Sequence, residues 1–257
     1  MKQGRRIILF ILFFFAAAFL FSAKQSHALT VGPVKLEYNA NPGDSITGQM
    51  FLMNEGDTPM VFYPVFERFT ENNGDRQFWP GEPTDLADWF HATSSVALGP
   101  KQQILIPFTV NIPKNASPGG HYAVIWWSTA PASKEGAQQV SIVTRAGILV
   151  YLRVAGQVIE SGKIDNFNTA DGKRLFLGLP IGFAVSFSNS GTVHLKPKGD
   201  IKIKNIIGQT VEDLQVNPYG AIILPNSNKG LGTDKSWNSG WPFGPYSADM
   251  ELTYGDS

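Results

Sequence analysis

The residues equipped for chemistry are few, and their spacing brings them to no recognised centre. Of four histidines, His27 lies near the N-terminus, and His91, His121 and His194 stand far from the three- to five-residue spacing of zinc-binding helices and hairpins. Each reads as a surface or strand-end residue. Asp85 and Asp88 beside Trp89 offer the two carboxylates that glycosidic hydrolysis requires. Asp85 more naturally caps a short helix, accepting N–H bonds from its first turn, while Trp89 and Phe90 pack inward. Asn72-Asn73-Gly74-Asp75 is rich in oxygen donors but lacks the further carboxylates and closing glutamate of a calcium loop, so it reads as a turn. The 257 residues include no cysteine, which removes thiolate metal sites, cysteine nucleophiles and redox pairs together. No G-x-S-x-G elbow, phosphate loop or dinucleotide fingerprint occurs. The expectation is a protein without catalytic residues, metal or cofactor, with a carbohydrate-active hydrolase as a remote alternative.

The aromatic residues remain as candidates for contact. Six tryptophans stand among 31 aromatics. In adjacent Trp126-Trp127 the two indoles of a strand must face opposite sides, so one enters a core and the other faces outward. Trp237, Asn238 and Trp241 occupy a glycine-rich loop that runs into Pro242-Phe243-Gly244-Pro245. Trp127, Trp237 and Trp241 are the candidate surface contacts; for most of the six tryptophans, packing within a core or between domains is the expected role.

Strands must position these residues. Ile104, Ile106, Phe108, Val110 and Ile112 alternate with Leu105, Pro107, Thr109 and Asn111, placing five branched or aromatic side chains on one surface. Further strands are expected over Ile46–Met53, Val61–Phe69, Tyr122–Thr129, Val140–Val154, Phe183–Phe187, Ile201–Ile203 and Tyr246–Tyr254. Turn clusters separate them, among them Asn41-Pro42-Gly43-Asp44, Asn54-Glu55-Gly56-Asp57, Ser117-Pro118-Gly119-Gly120 and Asn189-Ser190-Gly191. The one short helix candidate is Thr84–Phe90. Short strands divided by glycine and proline turns predict an all-β chain of two immunoglobulin-like β-sandwiches. The first is expected at 29–155 and the second at 156–257, with Gly162–Leu179 as an open stretch and Ala130–Gln139 as an exposed hairpin loop.

Residues 1–28 read as an export signal. Lys2, Arg5 and Arg6 precede an apolar run from Ile7 to Phe21, and Ser26-His27-Ala28 supplies a cleavage site; an uncleaved anchor is the alternative. These residues carry four cations and no acid, so the remaining 229 residues hold 17 cations against 21 acids, a net charge of −4. That balance argues against nucleic acid or an anionic membrane surface as partner. Membrane contact is expected only through the signal segment or an unseen anchor.

Segment 38–54, with Asn41-Pro42-Gly43-Asp44 leading into a strand that ends at Asn54, resembles the opening of the bacterial WxL-interacting-protein family. Leu98–Pro113 followed by Ser117–Trp126 is similar to that family's next hairpin, and Phe187–Pro197 with Leu224–Ser227 to its second-domain pattern. The resemblance spans most of residues 31–254. It implies an exported, non-enzymatic protein of the cell envelope, surface or periplasm that binds peptidoglycan or another surface protein. The strand-rich pattern also resembles periplasmic pilus chaperones, which implies as an alternative an assembly factor holding a subunit transiently. Those chaperones hold the subunit's C-terminal carboxylate with a basic pair, and no residue pair of this sequence is assignable to it. Surface relatives often end in a membrane-spanning helix and basic tail, where this chain ends at Tyr254-Gly255-Asp256-Ser257.

Overall fold

A computed structural model describes residues 29–80, 85–131, 143–241 and 243–255. The expected signal, 1–28, and most of the expected loop at 130–139 lie outside the described residues. Sixteen strands are described: β1 (Leu29–Gly32), β2 (Lys35–Ala40), β3 (Ser45–Asn54), β4 (Met60–Asn72), β5 (Asp75–Trp79), β6 (Phe90–His91), β7 (Val96–Leu98), β8 (Gln103–Asn111), β9 (Gly119–Ser128), β10 (Arg145–Val154), β11 (Gly162–Thr169), β12 (Phe183–Asn189), β13 (Lys198–Asn205), β14 (Thr210–Val216), β15 (Ser227–Leu231) and β16 (Tyr246–Thr253). One short helix, α1 (Asp85–Trp89), interrupts them where a helix was expected. Among the described residues no helix is long and apolar enough to cross a membrane.

The strands form two immunoglobulin-like β-sandwiches. In the first, the sheet β1-β3-β8-β6 faces the sheet β2-β10-β9-β4-β5, whose β4 also pairs with β7. In the second, β11-β12-β15 faces β14-β13-β16. Period-two patterning explains the first core: Ile106, Phe108 and Val110 of β8 meet Ala123, Ile125 and Trp127 of β9 and Ile148, Val150 and Leu152 of β10. The second core gathers Val185, Phe187, Ile201, Ile203, Leu214 and Trp237. Between β1 and β2 the chain crosses from one sheet to the other through a cis Gly32–Pro33 peptide, and β2 then runs parallel to β10 from Leu149 to Val154.

The stretch from Gly162, expected to be open, begins as a strand. β11 pairs with β12 along Gly162–Thr169, but its register shifts between Ile164 and Asn166. That bulge breaks the alternation by which a strand is recognised in sequence.

Two asparagines end strands in the same manner. Asn54 accepts from the Gly56 N–H at 2.9 Å and donates through Nδ2 to the carbonyls of Thr58 at 2.8 Å and Gly99 at 3.0 Å. Asn189 accepts from the Gly191 N–H at 2.8 Å and donates to Val193 at 2.8 Å and Ile223 at 2.9 Å. Each buried amide therefore closes its own turn and ties it to a distant segment of the same sandwich.

Candidate functional site

The sheet containing β9 and β10 is apolar on both faces, and this organises the molecule. Odd residues of β9 fill the first core, whereas Tyr122, Val124 and Trp126 point away from it, as do Leu149 and Tyr151 of β10. With Phe69 of β4 they meet Ile222 and Leu224 of the second sandwich in a third apolar cluster. A strand covered on both sides reads as a continuous apolar run, and Tyr122–Trp127 is one.

Polar contacts fasten the rim of this junction. The buried Glu71 carboxylate accepts from the Leu224 N–H at 3.2 Å and pairs with Lys229. The Gly120 N–H donates to the Thr192 carbonyl at 2.9 Å. Glu37 of β2 pairs with Lys196 of the second sandwich and, at 2.9 Å, with Lys35. Burial works to raise the Glu37 carboxyl, but Lys196 and Lys35 outweigh it and hold the group below its ordinary value of 4.5. Burial also pushes the Tyr122 and Tyr151 hydroxyls upward, so both phenols stay neutral within the junction.

The depressed Glu37 carboxyl has a definite sign. Its contribution to docking is present above pH 4.5 and is lost as pH falls through the lower folded value. Acid titration is therefore expected to loosen the junction only below pH 4.5, read as faster amide exchange at Tyr122 and Leu224. Lys196→Met is expected to remove most of that acid dependence, and an unchanged titration in this variant would separate Glu37 from it.

Two clefts flank the junction. One, of about 640 Å³, runs between Arg68, Glu71 and His121 of the first sandwich and Thr192, Pro225 and Asn226 of the second. The other, of about 150 Å³, is lined by Glu37, Arg153, His194 and Lys196. Its Arg153 pairs with Glu160 and its Lys196 with Glu37, so a basic pair lies between the sandwiches with both cations already matched by carboxylates. Sequence reasoning missed this pair because the two residues are brought together only by docking. Among the described residues, no group of three or more His, Asp or Glu side chains converges as a metal site would require.

The candidate tryptophans separate. Trp127, expected to face outward, is fully buried in the first core, and its indole N–H finds no acceptor among the described residues. Trp237, 7% exposed, packs in the second core and donates to the Ser239 carbonyl at 2.5 Å. Both are corrected from surface to core positions: adjacency in a strand fixes that two indoles diverge, not which of them lies inside. Trp126 is the outward member, half-buried, donating to Glu67 at 2.7 Å beneath the Arg145 guanidinium, which sits 5.2 Å from the ring. Of the three candidates, Trp241 stays on the surface, 72% exposed. Asp88 is exposed and Trp89 packs against the His121 ring at 4.9 Å.

Among the described residues, β10 carries an open edge. β9 covers it from Arg145 to Val154, but β2 reaches only Leu149 to Val154 on the other side. The Leu149 N–H points to the Val34 carbonyl, whereas the Thr144 carbonyl points to Thr129 beside β9. Since a strand residue sends its N–H and C=O to the same side, Arg145 and Gly147 direct theirs toward the uncovered edge. Gly147 is required there because a Cβ would lie 2.6 Å from the Trp126 ring.

No protein-family model matches the sequence, and no curated protein matches it significantly. Solved structures share its architecture. The class 5 fimbriae chaperone CfaA matches over 88% of this chain and 100% of its own, at 10% identity and a TM-score of 0.45. The E. coli chaperone DraB matches over 84% and 97%, at 14% identity and 0.42. A Salmonella enterica complex of SafA pilin with the SafB chaperone matches over 86% and 97%, at 12% identity and 0.41. At such identities the likeness concerns architecture alone.

Proposed function

We propose that this chain is an exported, non-enzymatic protein of the cell envelope that holds an extended segment of another surface protein by adding it as a strand beside β10, as an assembly chaperone would hold a subunit. The division between its two units falls at residues 155 and 156. The observation that carries this reading is the edge at Arg145–Ile148, where no described strand pairs with the outward backbone groups of two residues, beside the stretch of β10 that is apolar on both faces. Peptidoglycan binding is the less supported form of the reading, because Trp127 and Trp237 lie in cores and are withdrawn from stacking on sugars. The matched charges of Arg153 and Lys196 favour backbone pairing over capture of a terminal carboxylate as the main interaction.

Amide hydrogen exchange on the full chain tests this with peptides of about seven residues alternating valine and threonine as probe. The expected result is new protection at the Arg145 and Gly147 amides, with the even-numbered amides, already bonded to β9, unchanged. Unprotected amides at both positions, together with co-sedimentation on isolated cell walls, would replace strand addition with peptidoglycan binding.

A further inference from the structure

The far end of the second sandwich carries an apolar cleft that the strand-addition reading does not use. It measures about 650 Å³, with Phe183, Ile203 and Trp237 in its wall. Four large side chains at its rim project into solvent: Leu175 is 82% exposed, Leu177 98%, Trp241 72% and Phe243 70%. They come from two loops, one before β12 and one before β16. Exposed apolar side chains gathered at one end of a domain mark a contact surface rather than chance exposure.

Charge identifies the occupant. Lys173 and Arg174 line the same cleft, and no carboxylate lines it. Asp171 pairs with Lys173 at 3.2 Å and offsets part of its charge, whereas Arg174 has no ion-pair partner among the described residues. Leu175, Leu177, Trp241 and Phe243 belong to the cleft's lining yet are 70–98% exposed rather than recessed, and a tryptophan and a phenylalanine are among them, as at a lipid–water boundary.

We propose that this end of the second sandwich docks on an anionic membrane surface, with Leu175, Leu177, Trp241 and Phe243 entering the interface and Arg174 and Lys173 meeting lipid phosphates. The net charge of −4 belongs to the chain as a whole after residue 28, and a surface within a Debye length of lipid responds to the local charge instead. This docking is independent of strand addition at β10, which lies in the other sandwich.

The absence of cysteine allows a single reporter to be placed at Leu177→Cys, a position exposed enough to leave folding intact. The full chain carrying an environment-sensitive fluorophore there is mixed with vesicles of phosphatidylcholine containing roughly 30% phosphatidylglycerol, and with phosphatidylcholine alone. The expected result is a blue shift with the anionic vesicles only. Adding Arg174→Gln is expected to weaken that response about fivefold, the loss of one interfacial cation. Leu175→Asp is expected to abolish it without moving the unfolding midpoint. A probe unmoved by anionic vesicles, even in a chain held to them by residues 7–21, overturns the proposal. So does an equal shift with zwitterionic vesicles, or a shift produced by a protein partner and not by lipid.

Discussion

Glu71→Ala is expected to uncouple the two sandwiches. The substitution leaves the Leu224 N–H without its acceptor and the largely buried Lys229 ammonium without its counter-charge. Breaking a buried pair from one side costs about 3–5 kcal/mol, because the remaining charge is uncompensated. Calorimetry should then resolve two transitions where the parent shows more cooperative unfolding, and limited proteolysis should cut near residue 156. Glu71→Gln keeps an acceptor for the amide and should lie between. The double variant Glu71→Ala/Lys229→Met is expected to recover much of the loss, since it removes the stranded charge and extends the apolar cluster of Phe69, Ile222 and Leu224. If Glu71→Ala unfolds as the parent does, docking does not depend on the Glu71 carboxylate.

Trp127→Ala should be the most damaging single substitution in the first sandwich. The side chain is fully buried in the cluster that includes Ile125 and Ile148, and its removal leaves a cavity that packed β-strands collapse around poorly. The expected cost is about 3–5 kcal/mol, measured by denaturant unfolding. Trp127→Phe gives the sharper comparison. It deletes the indole N–H that has no acceptor among the described residues, so part of the lost packing is offset by a removed desolvation penalty, and the cost should stay under about 2 kcal/mol. A phenylalanine variant as damaged as the alanine one would mean that shape, not the unpaired N–H, sets the energy at this position.

Several elements were legible because their pattern is local. The alternation of Ile104 to Ile112 matches β8, Tyr246 to Tyr254 matches β16, and the short helix at Asp85–Trp89 falls inside its expected span. The turn at Asn72-Asn73-Gly74-Asp75 is one in fact, with Asn73 and Gly74 in the left-handed region at φ of 50° and 86°. β11 was hidden by its bulge, and β5 by having every residue exposed, so that it shows no buried face. The candidate contacts fared unevenly for a related reason. Trp241 lies outside, but Trp127 and Trp237 depend on strand parity and loop closure, which single residues do not reveal.

By itself the sequence determined the all-β character, the position of most strands and the exclusion of cysteine chemistry, because period-two burial and turn-forming residues act over neighbours in the chain. Tertiary structure decided which face of the β9–β10 sheet meets the first core and which meets the second sandwich, how Glu71 finds Lys229, and where β2 stops short along β10. Alternation tells two faces apart without saying what either will touch. The contacts that join the two sandwiches, such as that of Glu71 with Lys229, exist only once the two have docked.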